Sequence, residues 1–354
     1  MDFSWTPEEK MLRETVREHL ERNVKPYVVE AERTERFPWE IMAELKDFGY
    51  VGGIVPEVDG GMGLTFKQQA ILMEEAGRLW GSLRTTTNIL TLVPYIIARY
   101  GTPAQKRLFL DPVMRLEERC WLGLTEPNAG SDAGAVEMRA EREGDHWVLN
   151  GSKIFITNAS EGRIGVLFAR DSEHGGISAF LVHQEETPYT VRVIPHMPVR
   201  ATTSCEVVFQ EARVPDANLL GEPGKGLRLA LSGINIGRLN MAMGSVGLAQ
   251  ACLEASIDYA RSRSQFGKPI GSFQLIQEMV VEIATIVETG RLLGYRAADL
   301  MDRGERAVMA ASMAKYYNCE NAFRAASLAL QLHGGNGLME EYPVERYFRD
   351  SREG

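Results

Sequence analysis

Cysteine is scarce in this sequence, and the four residues present, Cys120, Cys205, Cys252 and Cys319, share no C-x-x-C spacing. That argues against a disulfide framework and against a thiolate metal site. The six histidines are scattered, with no H-x-x-x-H pair, so no metal centre is expected. No apolar run approaches the length of a membrane span. Basic charge is also in deficit: 39 Lys and Arg against 48 Asp and Glu leave a net charge of −9. Bulk electrostatics therefore do not favour nucleic acid or an anionic membrane surface, and an anionic ligand has to be met by local basic residues.

What is present describes an ordinary folded protein. Hydrophobic residues make up 44% and charged residues 25% of 354 residues, enough apolar chain for two or three packed domains and no sign of disorder. The chain opens acidic, at Met1 and Asp2, with neither an apolar signal core nor an Arg-rich transit segment. The expectation is a cytoplasmic bacterial protein, or the mature form of one from the mitochondrial matrix.

Hydrophobic period divides the chain into three. Thr6 with Glu9 makes a capping box, Pro7 suits a first helical turn, and Met11, Leu12, Val16, Leu20 and Val24 follow at helical spacing. Helical patterns continue over Trp39–Phe48, Phe66–Leu79 and Leu83–Tyr100, and another helix opens at Thr102-Pro103. An all-α domain over 1–120 is expected. The period then drops towards two, with Trp147–Leu149 read as a hairpin arm ahead of Asn150-Gly151. Short strands follow around Val166, Ala179, Val191 and Val207, so 121–225 reads as a β-domain. Gly221–Gly226 is a linker. Beyond it, Leu227–Ser262, Phe273–Met301 and Ala307–Leu332 are each near thirty residues, the length of bundle helices, over 226–354. Helix, sheet, helix is not the alternation a Rossmann fold needs.

The chemistry gathers at Trp121–Asp132 (W-L-G-L-T-E-P-N-A-G-S-D) and Lys153–Asn158 (K-I-F-I-T-N). An apolar segment runs into a loop whose Thr125, Glu126, Asn128, Ser131 and Asp132 exceed what a bare turn can satisfy. Amides freed by Gly130, with the Thr125 and Ser131 hydroxyls, make a donor set suited to a flat heteroaromatic ring. Phe155 and Thr157 share one face of an alternating strand, one to lie on a ring and one to donate to its edge. By turn chemistry alone the same residues also read as an Asx or Ser turn beside an ordinary core phenylalanine.

The G-L-T-E-P-x-x-G-S-D run followed by N-G-x-K-x-x-I-T-N resembles the acyl-CoA dehydrogenases. The resemblance extends along the chain through R-x-Q-F-G at Arg263–Gly267 and Q-L-H-G-G-N-G at Gln331–Gly337, four motifs in order. It implies an acyl-CoA dehydrogenase-like fold of N-terminal helices, middle β-domain and C-terminal helical bundle, with FAD as cofactor. It also implies oxidation of the α,β bond of an acyl-CoA thioester, with electrons passed to an electron-transferring flavoprotein. Carried over residue by residue, Thr125 and Ser131 bond the flavin or its ribityl chain, with Ser131 also near substrate. Phe155 flanks the ring and Thr157 donates toward N5. Arg263, Phe266 and Gln274 hold the pyrophosphate and adenine side of FAD from a neighbouring subunit, and Gln331, Gly334 and Gly335 form a second dinucleotide contact. A site split in this way implies an obligate homo-oligomer, a tetramer in the family. Read without the family, Arg263 sits in a basic patch with Arg261 and Lys268, which is more often a solvated face.

For substrate, the resemblance places Arg238 beside the thioester and Asn235 one turn earlier toward the pantetheine. Gly237 stands where one branch keeps its glutamate base, so the base is not there. In other members it follows R-D-[AS]. Aligned on Arg349-Asp350, that glutamate falls a few residues past Gly354, and the sequence reads as a shortened form of a longer protein, with Glu353-Gly354 mimicking the Glu-Gly after a deletion that draws the carboxylate away from substrate. Arg84, followed by Thr85, matches the arginine and hydroxyl with which glutaryl-CoA dehydrogenases hold a terminal carboxylate. The alternative for Arg84 is snorkelling to solvent from a helix face. Alternatives for the whole chain are a short-chain monoacyl-CoA dehydrogenase, a silent relative that binds flavin and acyl-CoA without turnover, and a monooxygenase-like member.

Overall fold

The computed structural model describes residues 5–354; the acidic start at Met1 and Asp2 lies outside the described residues. The Thr6 capping box forms, with Thr6 Oγ1 accepting from the Glu9 amide and the Glu9 carboxylate accepting from the Thr6 amide. It opens α1 (Pro7–His19), which passes through a wider π-turn into α2 (Lys25–Thr34). α3 (Met42–Lys46) is short. α4 (Phe66–Leu79) has its own Thr65/Gln68 box. The first amides of α4 are also held from the bundle, where the Asp302 carboxylate accepts from Phe66 N at 2.6 Å and Lys67 N at 3.0 Å. α5 (Gly81–Tyr100) follows after the single extended residue Trp80, and α6 (Pro103–Gln105) and α7 (Asp111–Met114) close the helical domain.

The middle domain is a sheet of eight strands: β1 (Cys120–Gly123), β2 (Arg139–Glu143), β3 (His146–Thr157), β4 (Ile164–Asp171), β5 (Ile177–His183), β6 (Thr190–Ile194), β7 (Ser204–Pro215) and β8 (Leu219–Leu220). The order is β6-β7-β3-β2-β4-β5-β8, with β1 added parallel to β4. The hairpin turn differs from the sequence reading. Asn150-Gly151 is not a turn, because β3 runs straight through it. The chain reverses instead at Gly144, in left-handed backbone at φ 64°, so that Glu143 pairs with His146. Asn150 marks a bulge. Its side chain donates to Glu211 Oε1 at 2.7 Å and accepts from the Glu211 amide at 2.8 Å, and the β3–β7 register shifts there.

The C-terminal domain holds α8 (Gly226–Ser262), α9 (Gln274–Asp302), α10 (Val308–His333) and α11 (Val344–Asp350), with a small hairpin of β9 (Ser264–Gln265) and β10 (Lys268–Pro269) between α8 and α9. α8 packs on α4 backbone to backbone. A Cβ on Gly77 would overlap the Gly244 carbonyl, and one on Gly247 would overlap the Glu74 carbonyl. Behind that seam lies a charged layer. Buried Glu74 and Glu75 receive Arg13, Arg17 and Arg291, and the Tyr295 hydroxyl donates to Glu74 at 2.7 Å. Both domains are therefore one packed unit at this face, and Gly77→Ala or Gly247→Ala should each lower stability by about 1–3 kcal/mol, the usual cost of overpacking. Denaturant unfolding measures it, and unshifted midpoints would mean that the two helices separate freely.

Candidate active site

Two walls of the site come from α5 and α8. Arg84 and Asn88, one turn apart on α5, face the α8 stretch that carries Asn235, Gly237, Arg238, Asn240 and Gly244. Asn240 Nδ2 donates to Asn88 Oδ1 at 3.0 Å. A Cβ on Gly237 would have Asn88 Oδ1 as its nearest neighbour, at 3.9 Å. Arg238 Nη1 donates to Asn235 Oδ1 at 2.7 Å, both half-buried, so these two predicted residues come together. Asn88 and Asn240 were not singled out in the sequence; the helical spacing of Asn88 from Arg84 was the signal available.

Arg84 is buried, 1% exposed, and does not snorkel. Its stem fits only because residue 244 is glycine, since a Cβ there would overlap Arg84 Cδ and Cγ. The guanidinium pairs with the carboxylate of Glu353, and Thr85 Oγ1 donates to the same carboxylate at 2.7 Å. Glu353 is thus not drawn away from this end of the site, as the sequence alignment had it. The reason is the anchoring of the segment before it. Asp350, buried, accepts from the Val199 amide at 2.7 Å, and Arg349 lies 3.7 Å from Glu32, which in turn accepts from Trp80 Nε1 and Ser82 Oγ. The Arg349-Asp350 run ties the end of α11 to the β-domain, to α2 and to the start of α5. Burial, with the Glu32 carboxylate nearby, pushes the Asp350 carboxyl up to about 7.

A second set lies on the β-domain. Of the polar residues in the loop after β1, several are satisfied within the chain. Glu126 is buried and accepts from Lys153 Nζ at 2.6 Å and from the Met138 amide at 3.0 Å. Asp132 accepts from the Gly134 amide, and Asn128 donates to Glu137. The reading that the whole loop wants a ligand is corrected to this extent. Left over are the side-chain hydroxyls of Thr125, Ser131 and Thr157, for which the structure gives no partner among the described residues. Beside them Phe155 is 64% exposed and sits in left-handed backbone at φ 59°, a conformation uncommon for a bulky residue. The bulge there breaks strict alternation, yet Ile156 alone turns into the core and Phe155 and Thr157 both stay out of it. Open hydroxyls of Thr125 and Thr157 close to an exposed aromatic face fit a flat ring with a polar edge, and Ser131 follows in the same loop. Lys153, buried and missed in the sequence, links this loop to β3, and burial pulls its ammonium down to about 8 against the opposing pull of Glu126.

The third set lies at the far ends of the bundle helices. Arg263 caps α8, Phe266 stands 93% exposed on the β9–β10 hairpin in left-handed backbone, and Gln274 opens α9, exposed. Gln331, Gly334 and Gly335 are exposed at the end of α10, brought near by Tyr259 stacking on His333 with centroids 4.2 Å apart. No hydrogen bond or ion pair among the described residues connects this set with the β-domain set of the same chain. No cluster of three or more His, Cys, Asp or Glu that could hold a metal is found among the described residues, and no helix there is long and apolar enough to cross a membrane.

Three family models match in series: Acyl-CoA dehydrogenase, N-terminal domain over residues 6–117, the middle domain over 122–212 and the C-terminal domain over 224–353. The chain is 36% identical to a glutaryl-CoA dehydrogenase of Desulfococcus multivorans, over 99% of this chain and 92% of that protein. Among solved structures it is similar to the butyryl-CoA dehydrogenase of Megasphaera elsdenii (TM-score 0.94, 33% identity, 100% of this chain and 94% of that one). It is equally similar to a glutaryl-coenzyme A dehydrogenase in complex with glutaryl-CoA (TM-score 0.94, 36% identity, 99% and 91%).

The Asp350 anchor generates a pH prediction. With its folded pKa raised to about 7 from 3.8, the folded chain keeps a proton that the unfolded chain has released. The contribution of Asp350 to stability is therefore full below the lower value and falls as pH rises through the window, by at most roughly 1.4 kcal/mol per unit. Asp350→Asn keeps an acceptor for the Val199 amide without the ionisation, so its stability relative to the parent should rise between about pH 5 and about pH 8. Thermal unfolding at both pH values checks it; a difference that does not change with pH would show Asp350 titrating normally.

Proposed function

The chain belongs to the acyl-CoA dehydrogenase family, and on that premise we propose that it oxidises the Cα–Cβ bond of a dicarboxylic acyl-CoA of the glutaryl kind. FAD is the cofactor, as in the family, where a glutaryl-CoA dehydrogenase is solved with FADH2; when bound, it accepts the hydride that leaves Cβ while a carboxylate takes the proton from Cα. Gly237 leaves the first bundle helix without that base.

One observation carries the substrate reading: buried Arg84 and Thr85 already grip a carboxylate, that of Glu353. A guanidinium and a hydroxyl converging on one carboxylate are the groups a terminal acyl carboxylate needs, and Glu353 stands in for it. A methyl group at the same place would leave the arginine unpaired, at a cost of roughly 3–5 kcal/mol. The second reading, a short-chain monoacyl substrate, is favoured by the same contact in another way. If Glu353 stays on Arg84, the charge is compensated and a neutral acyl tail meets no unpaired cation.

In this reading Thr125, Ser131 and Thr157 donate to the edge of the flavin and Phe155 covers its face. Arg238 and Asn235 lie along the thioester and pantetheine. Arg263, Phe266, Gln274, Gln331, Gly334 and Gly335 are assigned to the dinucleotide of a neighbouring copy. Their exposure in the single chain, above all that of Phe266, supports a homo-oligomer, a tetramer by resemblance. The reduced flavin is reoxidised by an electron-transferring flavoprotein, in the bacterial cytoplasm or a mitochondrial matrix.

Anaerobic flavin reduction discriminates the substrates. Glutaryl-CoA should bleach the flavin well and butyryl-CoA poorly, with the preference inverted in Arg84→Met; equal reduction by both, unchanged in the variant, would return the protein to the monoacyl class. Arg263→Ala should lose FAD on gel filtration faster than the parent, because a charge-assisted phosphate contact is removed; undiminished retention would take Arg263 out of the cofactor site.

A further inference from the structure

We propose that the Glu126–Lys153 ion pair is the positioning element of the flavin site, fixing the Thr125 side of the loop against the Phe155–Thr157 end of β3 so that cofactor affinity and potential depend on it. Neither side chain has a face left for a ligand: both are buried, Lys153 completely. The pair acts through its neighbours. One ammonium grips the residues on either side of Thr125, donating to the Leu124 carbonyl at 3.1 Å and to Glu126 Oε1 at 2.6 Å. The next amide of β3, Ile154, donates to the carbonyl of Thr125 itself at 2.9 Å. Three consecutive loop residues are thereby referred to two consecutive residues of the strand that carries Phe155 and Thr157.

The carboxylate end extends the grip. Glu126 also accepts from the amides of Glu137 and Met138, at 2.5 and 3.0 Å, and its backbone exchanges two hydrogen bonds with Ala129, two residues before Ser131. Room for the lysine stem is built in: a Cβ on Gly123 would lie 2.9 Å from the Trp121 ring, 3.0 Å from Leu167 and 3.4 Å from Lys153 Cγ. On the opposite side Lys153 is paired with Val207 of β7. Among the described residues Glu126 is the one ionised group within salt-bridge distance of the ammonium. A buried pair is often no more stabilising than an apolar pair of like volume, whereas it is directional, and a small misplacement of donors is felt in binding. Charge and geometry together make the pair a setting device for the three open hydroxyls.

The inference rests on FAD as the ligand. The experiment titrates FAD into apoprotein of the parent, Lys153→Met, Glu126→Gln and the double variant, with thermal unfolding and the flavin midpoint potential measured alongside. Absence of FAD binding by the parent would overturn the cofactor reading and this one together. With parent binding established, the dissociation constants of the single variants should rise on the order of tenfold or more. The double variant, freed of any unpaired buried charge, should recover thermal stability without recovering affinity or potential. Parent affinity should also weaken as pH rises from about 7 to about 9.5, as the ammonium loses its proton, a dependence absent in Lys153→Met. Parent-like affinity and potential in a folded single variant, or affinity that returns with stability in the double variant, overturns the proposal. If the variants do not fold, a parent affinity flat across that pH range overturns it as well.

Discussion

Helices α4 and α8 touch backbone to backbone, and the polar face that α5 turns to α8 is held in place by that contact. Gly77 and Gly247 leave no side chain between the two axes. Because dispersion and sterics at such a seam depend on tenths of an ångström, the spacing of α4 and α8 is set by main chain, not by side chains that could repack. Gly244 serves twice. Its backbone is what α4 meets at Gly77, and the absence of its Cβ leaves the space through which Arg84 extends its stem.

Packing fixed in this way can hold a charge where an ordinary core could not. Arg84 meets Glu353, 269 residues further along the chain, and the meeting depends on α11 being tied down. Asp350 on the Val199 amide and Arg349 near Glu32 bring N-terminal helices, sheet and bundle to one point. The Arg84 end of α5 is therefore a junction of three domains, and anything that loosens the junction loosens the grip of Arg84 and Thr85 on Glu353.

How much of this could be read from the residues follows from how local each signal is. Capping boxes at Thr6 and the long bundle helices are written in three to thirty consecutive residues, and they appear close to where the pattern puts them. The loop after β1 and K-I-F-I-T-N are contiguous motifs, so their sequence shows them to be one unit, and the structure brings them together through the Ile154 amide on the Thr125 carbonyl. β2 was not legible: R-A-E-R-E has one buried residue, Ala140, and no alternation to detect, because pairing on both sides makes the strand and not its own hydrophobic face. Asn150-Gly151 has the composition of a turn, but Asn150 spends its hydrogen bonds across the sheet on Glu211. Lys153 with Glu126, and Arg84 with Glu353, lie beyond any local pattern. The sequence gives some of these residues a role but none of them its partner, which only the fold shows.

Those partners share a logic. Arg84, Lys153 and Asp350 are all buried, and each is met by a group from a different element: Glu353 from the segment after α11, Glu126 from the loop after β1, and the Val199 amide from the loop before β7. Apolar side chains would join the same elements with less desolvation, but an apolar contact tolerates sliding and rotation. An ion pair or charge-assisted hydrogen bond in low dielectric does not, since its strength falls quickly with misalignment. The chain places such contacts where elements must keep register: between α5 and the segment after α11, between the loop after β1 and β3, and between α11 and the loop before β7. Burying polar and ionisable groups at these points exchanges some stability for a fixed geometry.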